Sequence, residues 1–397
     1  MWQMTSDRRF SRNRYSVILT PNAPGVVALV QGVESEASIR ASQRGSNPIE
    51  IRNGAAQWLE CETSGSTGRP KTIRRRPSSW IRSFEITQQH FKAGPSDVYA
   101  VLGSLGHSLS LFAALEALHI GADLCVLSGH PPKRQLQALA DLCATVLYAT
   151  PTQLESLNTA AQHAVSPALL NGMRIVFVGG GMLTEPAKNR LAHLFPKAEI
   201  IQFYGTSETS FVTIADASTP PGSVGRPYPK VQLRLAGQRQ EQSADAGEIF
   251  VKSPYLFEGY TDQKTPMPID SDGFVCSGEI GYQDAAGYLF LKGRADRMVT
   301  ISDVNVHPEA IEAAVLSLPN VEDCAVVTIP DEKRGHRAIC FIVAPSLEVS
   351  PATLRQHCRN MLGAPYVPKE VWAISKLPLL PSGKPDLPAL KERIAKR

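Results

Sequence analysis

A chain of 397 residues, 43% hydrophobic and 20% charged, has the apolar content for a large core and the length for more than one domain. Its net charge of +4 is small for that length, which excludes a nucleic-acid footprint and a charged membrane-surface patch. Seven scattered cysteines with no C-x-x-C pair exclude a dense disulfide framework or a local zinc motif and fit a reducing, cytoplasmic compartment. The N-terminal stretch M-W-Q-M-T-S-D-R-R-F-S-R-N-R has no apolar core behind its charges, so no secretory signal is expected. Thr63 to Lys71 reads T-S-G-S-T-G-R-P-K. Gly65 and Gly68 let backbone N–H groups turn inward, Thr63, Ser64, Ser66 and Thr67 carry hydroxyls, and Lys71 supplies a point charge, a composition suited to phosphate. It is not a Walker A loop, because the two glycines are too close and Lys71 does not directly follow the second. Arg74, Arg75 and Arg76 behind it read first as a solvated basic turn, with attraction of a nucleotide as the alternative.

From Tyr99 onward short β-rich runs alternate with helix-length segments. Strands are expected at Tyr99 to Leu105, Leu124 to Leu127, Thr145 to Ala149, Ile175 to Val178 and Ile200 to Tyr204. That alternation predicts β-α-β units and a largely parallel sheet, with ligands beyond the carboxyl ends of the strands, where Gly179-Gly180-Gly181 and Gly205-Thr206-Ser207-Glu208 fall. Ser108 to Leu127 is the most apolar long stretch, but Glu116, His119 and Asp123 break a membrane-spanning reading. After about Pro220, short strands and turn signals such as Ser271-Asp272-Gly273 predict an antiparallel or barrel-like subdomain. The last hundred or so residues predict a small α+β domain, with helices near Pro308 to Leu318 and Pro351 to Met361 and strands at Cys324 to Ile329 and Ile339 to Val343. The fold class is therefore α/β: a large N-terminal domain holding a parallel α/β sheet and a β-rich subdomain, then a small α+β domain.

After the phosphate loop come Tyr204-Gly205-Thr206-Ser207-Glu208, Gly293-Arg294-Ala295-Asp296 and Pro381-Ser382-Gly383-Lys384. In that order the series resembles the adenylate-forming superfamily of acyl- and aryl-CoA ligases, peptide-synthetase adenylation domains and luciferases, from about Leu59 to the end. The resemblance implies attack of a carboxylate on the α-phosphorus of ATP to give an acyl-adenylate and pyrophosphate, then transfer to a thiol. It implies an AMP-binding domain over 1–295, a small domain over 296–397 and a hinge at Asp296. Glu208 is implied as the Mg2+ ligand, Ser207 as a phosphate-bonding hydroxyl where threonine is usual, and Tyr204 as a face for adenine, with core packing as its alternative. Lys384 is implied as the catalytic cation at the α-phosphate and Arg294 as a ribose and phosphate contact, with a structural ion pair the alternative for Arg294 and Asp296. Two domain orientations would serve the two half-reactions.

Three positions depart from the pattern. Glu279 stands for the usual ribose-binding aspartate, Thr300 for a common lysine, and Asp303 for the glycine that lines the pantetheine path. His107 occupies the place of a histidine beside the acid pocket in many acyl- and aryl-CoA ligases. Ser108 stands where amino-acid-activating domains carry an aspartate for the α-ammonium, so a non-amino carboxylic acid is expected. Phe177, Met182, Phe211 and Val212 suit an aryl ring or a short acyl chain equally. The acceptor is expected to be coenzyme A, the rival being the phosphopantetheine of an acyl carrier protein. A nucleotide-binding protein with impaired catalysis is the reading from another class. The loop starts at residue 63, where relatives carry a further α/β subdomain before it, so a shortened N-terminal region is expected, either natural or from a start site placed too late.

Overall fold

Short apolar runs, two of them buried along their whole length, build the central sheet. The computed structural model describes residues 8–43, 45–63, 71–162, 170–183, 185–237, 246–262, 265–344, 349–380 and 384–396. The chain divides into two compact units, one of residues 1–233, 251–277 and 285–289, the other of 234–250, 278–284 and 290–397.

The first unit starts with α1 (Val26–Glu34), β1 (Ser38–Ala41), β2 (Ile49–Arg52), β3 (Leu59–Glu62) and β4 (Thr72–Arg75). With a later strand, Gly259–Tyr260, they form a five-stranded sheet in the order Gly259–Tyr260, β4, β3, β1, β2. β1 and β3 run parallel and the other neighbours antiparallel. The sequence reading placed no elements before the phosphate loop. Strands of four residues are too brief for a period-two signal, and β3 is buried at every position, which erases the alternation.

α2 (Pro77–Phe91) follows, with proline at the position where a missing N–H costs nothing. Then β5 (Val98–Val101), α3 (Ser108–Ile120), β6 (Asp123–Val126), α4 (Pro132–Asp141), β7 (Val146–Ala149), α5 (Pro151–Gln162), β8 (Ile175–Val178), α6 (Glu185–Leu194) and β9 (Glu199–Thr206) alternate as expected. β10 (Ser210–Ala215) and β11 (Arg226–Pro227) complete a seven-stranded sheet in the order β11-β10-β9-β8-β7-β5-β6. β5 to β9 pair in parallel, and β10 and β11 antiparallel. β7 and β8 are buried at every position, as strands with no solvent-facing side must be. β5 ends at Val101, short of the expected Leu105, and further on Gly106 passes so close to Ser42 that a Cβ would lie 2.2 Å from its carbonyl oxygen. The chain leaves β5 for β6 on one side while β7 lies on the other. The loops after β5 and β7 therefore diverge at a topological switch point, and His107 lies in the first.

α3 is buried almost all round and carries Glu116 into the core, where its carboxylate accepts a 2.7 Å hydrogen bond from the Tyr148 hydroxyl. Among the described residues no helix is long and apolar enough to cross a membrane.

β12 (Gln232–Ala236), β13 (Gly247–Lys252), β14 (the Gly259–Tyr260 strand), β15 (Val275–Gln283) and β16 (Leu289–Arg294) make up the β-rich stretch expected after Pro220. β12, β13, β15 and β16 form a four-stranded sheet in that order. The second unit continues with β17 (Val299–Ile301), β18 (Val304–Val306), α7 (Pro308–Leu316), β19 (Asp323–Asp331), β20 (Gly335–Val343), α8 (Pro351–Leu362), β21 (Glu370–Ala373) and α9 (Leu387–Ala395). β19 and β20 pair antiparallel along their whole length and alternate between two cores. Val326, Cys340 and Ile342 pack with Ile311 and Val315 of α7 and Leu354 of α8, while Val327, Ile339 and Phe341 pack with Leu390 of α9. Ser350 and Asp386 cap α8 and α9 by accepting from Thr353 N and Ala389 N.

Burial pushes the Glu116 pKa up to about 8, the Tyr148 hydrogen bond opposing it. The folded value lies above the unfolded one, so the stability held below the unfolded pKa is lost as pH rises toward 8. Glu116→Gln cannot ionise. Its stability, relative to wild type, is expected to be greater at about pH 8 than at about pH 5, by on the order of a few kcal/mol, with the melting temperature shifting in the same direction. Thermal melts at both pH values check this, and an equal offset at both would contradict it.

Candidate active site

The hairpin turn between β9 and β10 organises the first unit's site. At Gly205 a Cβ would lie 1.8 Å from the Ser210 carbonyl oxygen, so the strands reach this closeness only with glycine there. Thr209 N donates to the Thr206 hydroxyl at 3.2 Å and Thr206 N to the Thr209 hydroxyl at 3.1 Å, locking the turn from both ends. Ser210 adopts a left-handed φ of 57°. The turn thereby fixes Ser207 and Glu208. The Glu208 carbonyl accepts from Phe257 N at 2.9 Å, and its carboxylate accepts from the Tyr260 hydroxyl at 3.2 Å. Burial, then the field of Glu208, raises the Tyr260 pKa, so the phenol stays protonated as a donor.

The Lys71 ammonium lies 5.1 Å from the centroid of the Tyr260 ring, so the lysine from the phosphate loop and the Glu208 carboxylate meet the same tyrosine. Thr63 N donates to the Lys71 carbonyl at 2.7 Å, joining the two ends of the loop where β3 and β4 pair. Ser64, Gly65, Ser66, Thr67 and Gly68 lie outside the described residues. The His107 backbone begins α3 and Ser108 is its first residue, with the Ser108 hydroxyl 3.4 Å from that of Ser207. Cys61 lies beside Ser108, and burial raises its thiol pKa to about 11, which makes it inert.

Gly180, at φ 83°, and Gly181 are exposed after β8, whose neighbour β9 leads into the turn. Tyr204 is 8% exposed. Of the side chains assigned to the acid pocket, Phe177 stacks on Tyr148 at 4.5 Å, Phe211 packs on Phe203, Phe112 and Tyr228, and Val212 is buried. Met182 is 45% exposed.

The basic run is not a solvated turn. Arg74 and Arg76 do face outward, bonded to Glu60 and Glu258, but Arg75 is 1% exposed. Ile73 points into the core, and strand alternation sends the residue two positions on the same way. The sequence reading also passed over Tyr260 and Thr209. Thr209 was visible as the last hydroxyl of the T-S-E-T run, whereas Tyr260 reaches the site only through the pairing of β14 with β4.

The second unit gathers a different set. Arg294 grips Asp296 through Nε at 2.9 Å and Nη2 at 3.2 Å. Burial works against its charge, but Asp296 first and Glu279 after it hold the guanidinium pKa above its ordinary value. The Arg294 N–H points to Glu309. Thr300 and Asp303 lie on the hairpin of β17 and β18, with Asp303 at its exposed tip in a left-handed conformation, φ 63°. Lys384 is exposed just ahead of α9, and its carbonyl accepts from Leu380 N at 2.8 Å.

Comparison with known proteins matches two segments of the chain to family models. The family model of the AMP-binding enzyme matches residues 61–261, and that of the AMP-binding enzyme C-terminal domain matches 310–384, ending at Lys384. The uncharacterized acyl-CoA ligase YhfT of Bacillus subtilis (strain 168) is 35% identical over 348 residues, 86% of this chain and 70% of the relative. The 2-succinylbenzoate-CoA ligase of Enterococcus faecalis is 28% identical over 330 residues, 81% of this chain and 66% of the relative. Among solved structures, ATP-bound MatB from Rhodopseudomonas palustris superposes with a TM-score of 0.74 at 24% identity, over 93% of this chain and 72% of its own. With the first model alone spanning about half of its length, the chain belongs to the AMP-binding enzyme family.

Proposed function

We propose that the chain is an ATP- and Mg2+-dependent acid–thiol ligase that activates a non-amino carboxylic acid and transfers it to coenzyme A. The observation that carries this reading is the turn that holds Ser207 and Glu208 beside Lys71, Tyr260 and Ser108, in a chain with acyl-CoA ligase relatives. In the first step a carboxylate oxygen bonds to the α-phosphorus of ATP as the bond to pyrophosphate breaks. In the second a thiolate attacks the acyl carbon and AMP leaves. Two anions meet in the first step, so the protein has to place positive charge and N–H or O–H donors around the phosphates.

Lys71, the Thr63 to Gly68 loop and the Ser207 hydroxyl would hold the phosphates. Glu208 suits a divalent ion: it is a hard oxygen donor, and among the described residues its second carboxylate oxygen has no hydrogen-bond partner. Bound there, Mg2+ would neutralise charge on phosphate oxygens. Gly180, Gly181, Gly205 and Tyr204 would border the nucleotide, with Glu279 and Arg294 on its ribose. His107 and Ser108 would border the acid, and Ser108 in place of a carboxylate argues against an α-ammonium. Lys384 supplies the charge for the α-phosphate, and Asp296 is the hinge between an adenylation domain over 1–295 and a small domain over 296–397. Seven unpaired cysteines support a cytoplasmic location. Screening carboxylic acids for acid-dependent pyrophosphate release, followed by assay of thioester formation, tests the reading. Pyrophosphate release with no acid in a broad panel would overturn it.

A carrier-protein acceptor is the second reading, favoured by Asp303 on the β17–β18 hairpin. Its negative charge would oppose the polyanionic nucleotide part of coenzyme A more than a docked pantetheine arm. Asp303→Gly is expected to lower the apparent KM for coenzyme A by about two- to fivefold and to leave pyrophosphate release unchanged. Steady-state kinetics of the two half-reactions check this, and an unaltered KM would remove Asp303 from the acceptor path.

Lys384→Ala is expected to slow adenylate formation by on the order of a hundredfold or more, while thioester formation from supplied acyl-adenylate stays near wild type. Separate rapid-quench assays of the two half-reactions measure this. Equal losses in both would contradict the assignment.

A further inference from the structure

Arg75 is a buried cation whose hydrogen bonds all go to neutral oxygens. Its Nη1 donates to the Ser79 hydroxyl at 3.3 Å, the Ser210 hydroxyl at 2.7 Å and the Tyr255 carbonyl at 3.1 Å, and its Nη2 donates to the Ser207 carbonyl. The guanidinium lies 5.1 Å from the Trp80 ring centroid, and Trp80 Nε1 also donates to the Ser210 hydroxyl. Nε finds no partner among the described residues. Burial lowers the Arg75 pKa to about 10, against the fields of Cys61 and Glu208.

A buried charge without a carboxylate partner is costly, and an apolar side chain would fill the space at lower cost. What arginine adds is a rigid fork of donors reaching three separate segments: the start of α2, the 253–258 stretch and the β9–β10 turn. Two of its four acceptors, the Ser207 carbonyl and the Ser210 hydroxyl, bracket Glu208. The turn needs such a brace, because Ser210 holds a left-handed backbone that a free hairpin would avoid.

We propose that Arg75 is a positioning residue for nucleotide binding, its guanidinium holding the Ser207 to Ser210 turn so that the Ser207 hydroxyl and the Glu208 carboxylate face a triphosphate and its divalent cation. This rests on the adenylating function proposed above. It makes geometry, and not charge alone, the contribution of Arg75. Lysine keeps the charge but cannot span four acceptors on three segments, so R75K separates the two.

The test compares wild type, R75K and Arg75→Met. Hydrogen exchange is followed in the peptide 205–211 and, as an internal control, in a peptide covering β7. Calorimetry measures binding of the Mg2+ complex of α,β-methylene-ATP and of adenosine. In R75K the 205–211 peptide is expected to exchange about tenfold faster with β7 unchanged, and the Mg2+–nucleotide Kd to rise about tenfold with adenosine affinity retained. If Arg75→Met fails to fold, R75K carries the test. Wild-type exchange and nucleotide affinity in R75K would overturn the proposal. So would equal acceleration at β7, which marks a general structural role, or a wild type with no affinity for the nucleotide. If the wild type binds the nucleotide and R75K shows these losses, but the wild type releases no acid-dependent pyrophosphate, the ligase reading falls and the role of Arg75 stands.

Discussion

The site depends on one close approach, that of the Ser210 carbonyl to the backbone of Gly205. It lets β9 and β10 close on a turn so tight that Ser207 and Glu208 have few ways to point. Reciprocal threonine bonds within the turn, the Phe257 N–H on the Glu208 carbonyl and the Arg75 fork each remove further freedom. A turn held from several directions loses little entropy when a ligand arrives, which is the general advantage of preorganisation. Lys71 and Glu208 both meet Tyr260, so a cation and a carboxylate share one ring.

That turn sits on a rigid base. β8 and β9 are neighbours in the parallel sheet, and the aromatic side chains of Phe112, Tyr148, Phe177 and Phe211 pack ring against ring beneath their carboxyl ends. α3 carries Ser108 to the Ser207 hydroxyl from one end and buries Glu116 further along its length. A helix this enclosed has little room to shift, and the neutral form of Glu116 avoids an unpaired charge in its core. The second unit is built differently, with an antiparallel β19–β20 pair carrying helices on both faces.

The parallel sheet was legible because strands buried on both faces appear as unbroken apolar runs, V-L-Y-A and I-V-F-V among them, between helix-length segments. The sheet around the phosphate loop was not. Its strands are four residues or shorter, and β14 joins from far along the chain, so no local pattern announces it. The motif residues could be read from their chemistry, whereas their supports could not. A run of three arginines looks solvated until the phase of β4 is fixed by Ile73, and Tyr260 is tied to Lys71 and Glu208 only through tertiary pairing. The expected division at Asp296 reflects motif order, while the second compact unit also takes in 234–250 and 278–284, which sequence order could not reveal.

The central claim is that the β9–β10 turn presents Glu208 as the anchor for the divalent cation of ATP. A crystal structure of the protein with ATP and Mn2+, with the metal located by its anomalous scattering, tests it most directly. The predicted result is a Mn2+ ion bonded to the Glu208 carboxylate and to phosphate oxygens, with Ser207 on a phosphate. A Mn2+ ion held by phosphates and other side chains, with Glu208 still bonded to Tyr260 and away from the metal, would contradict it.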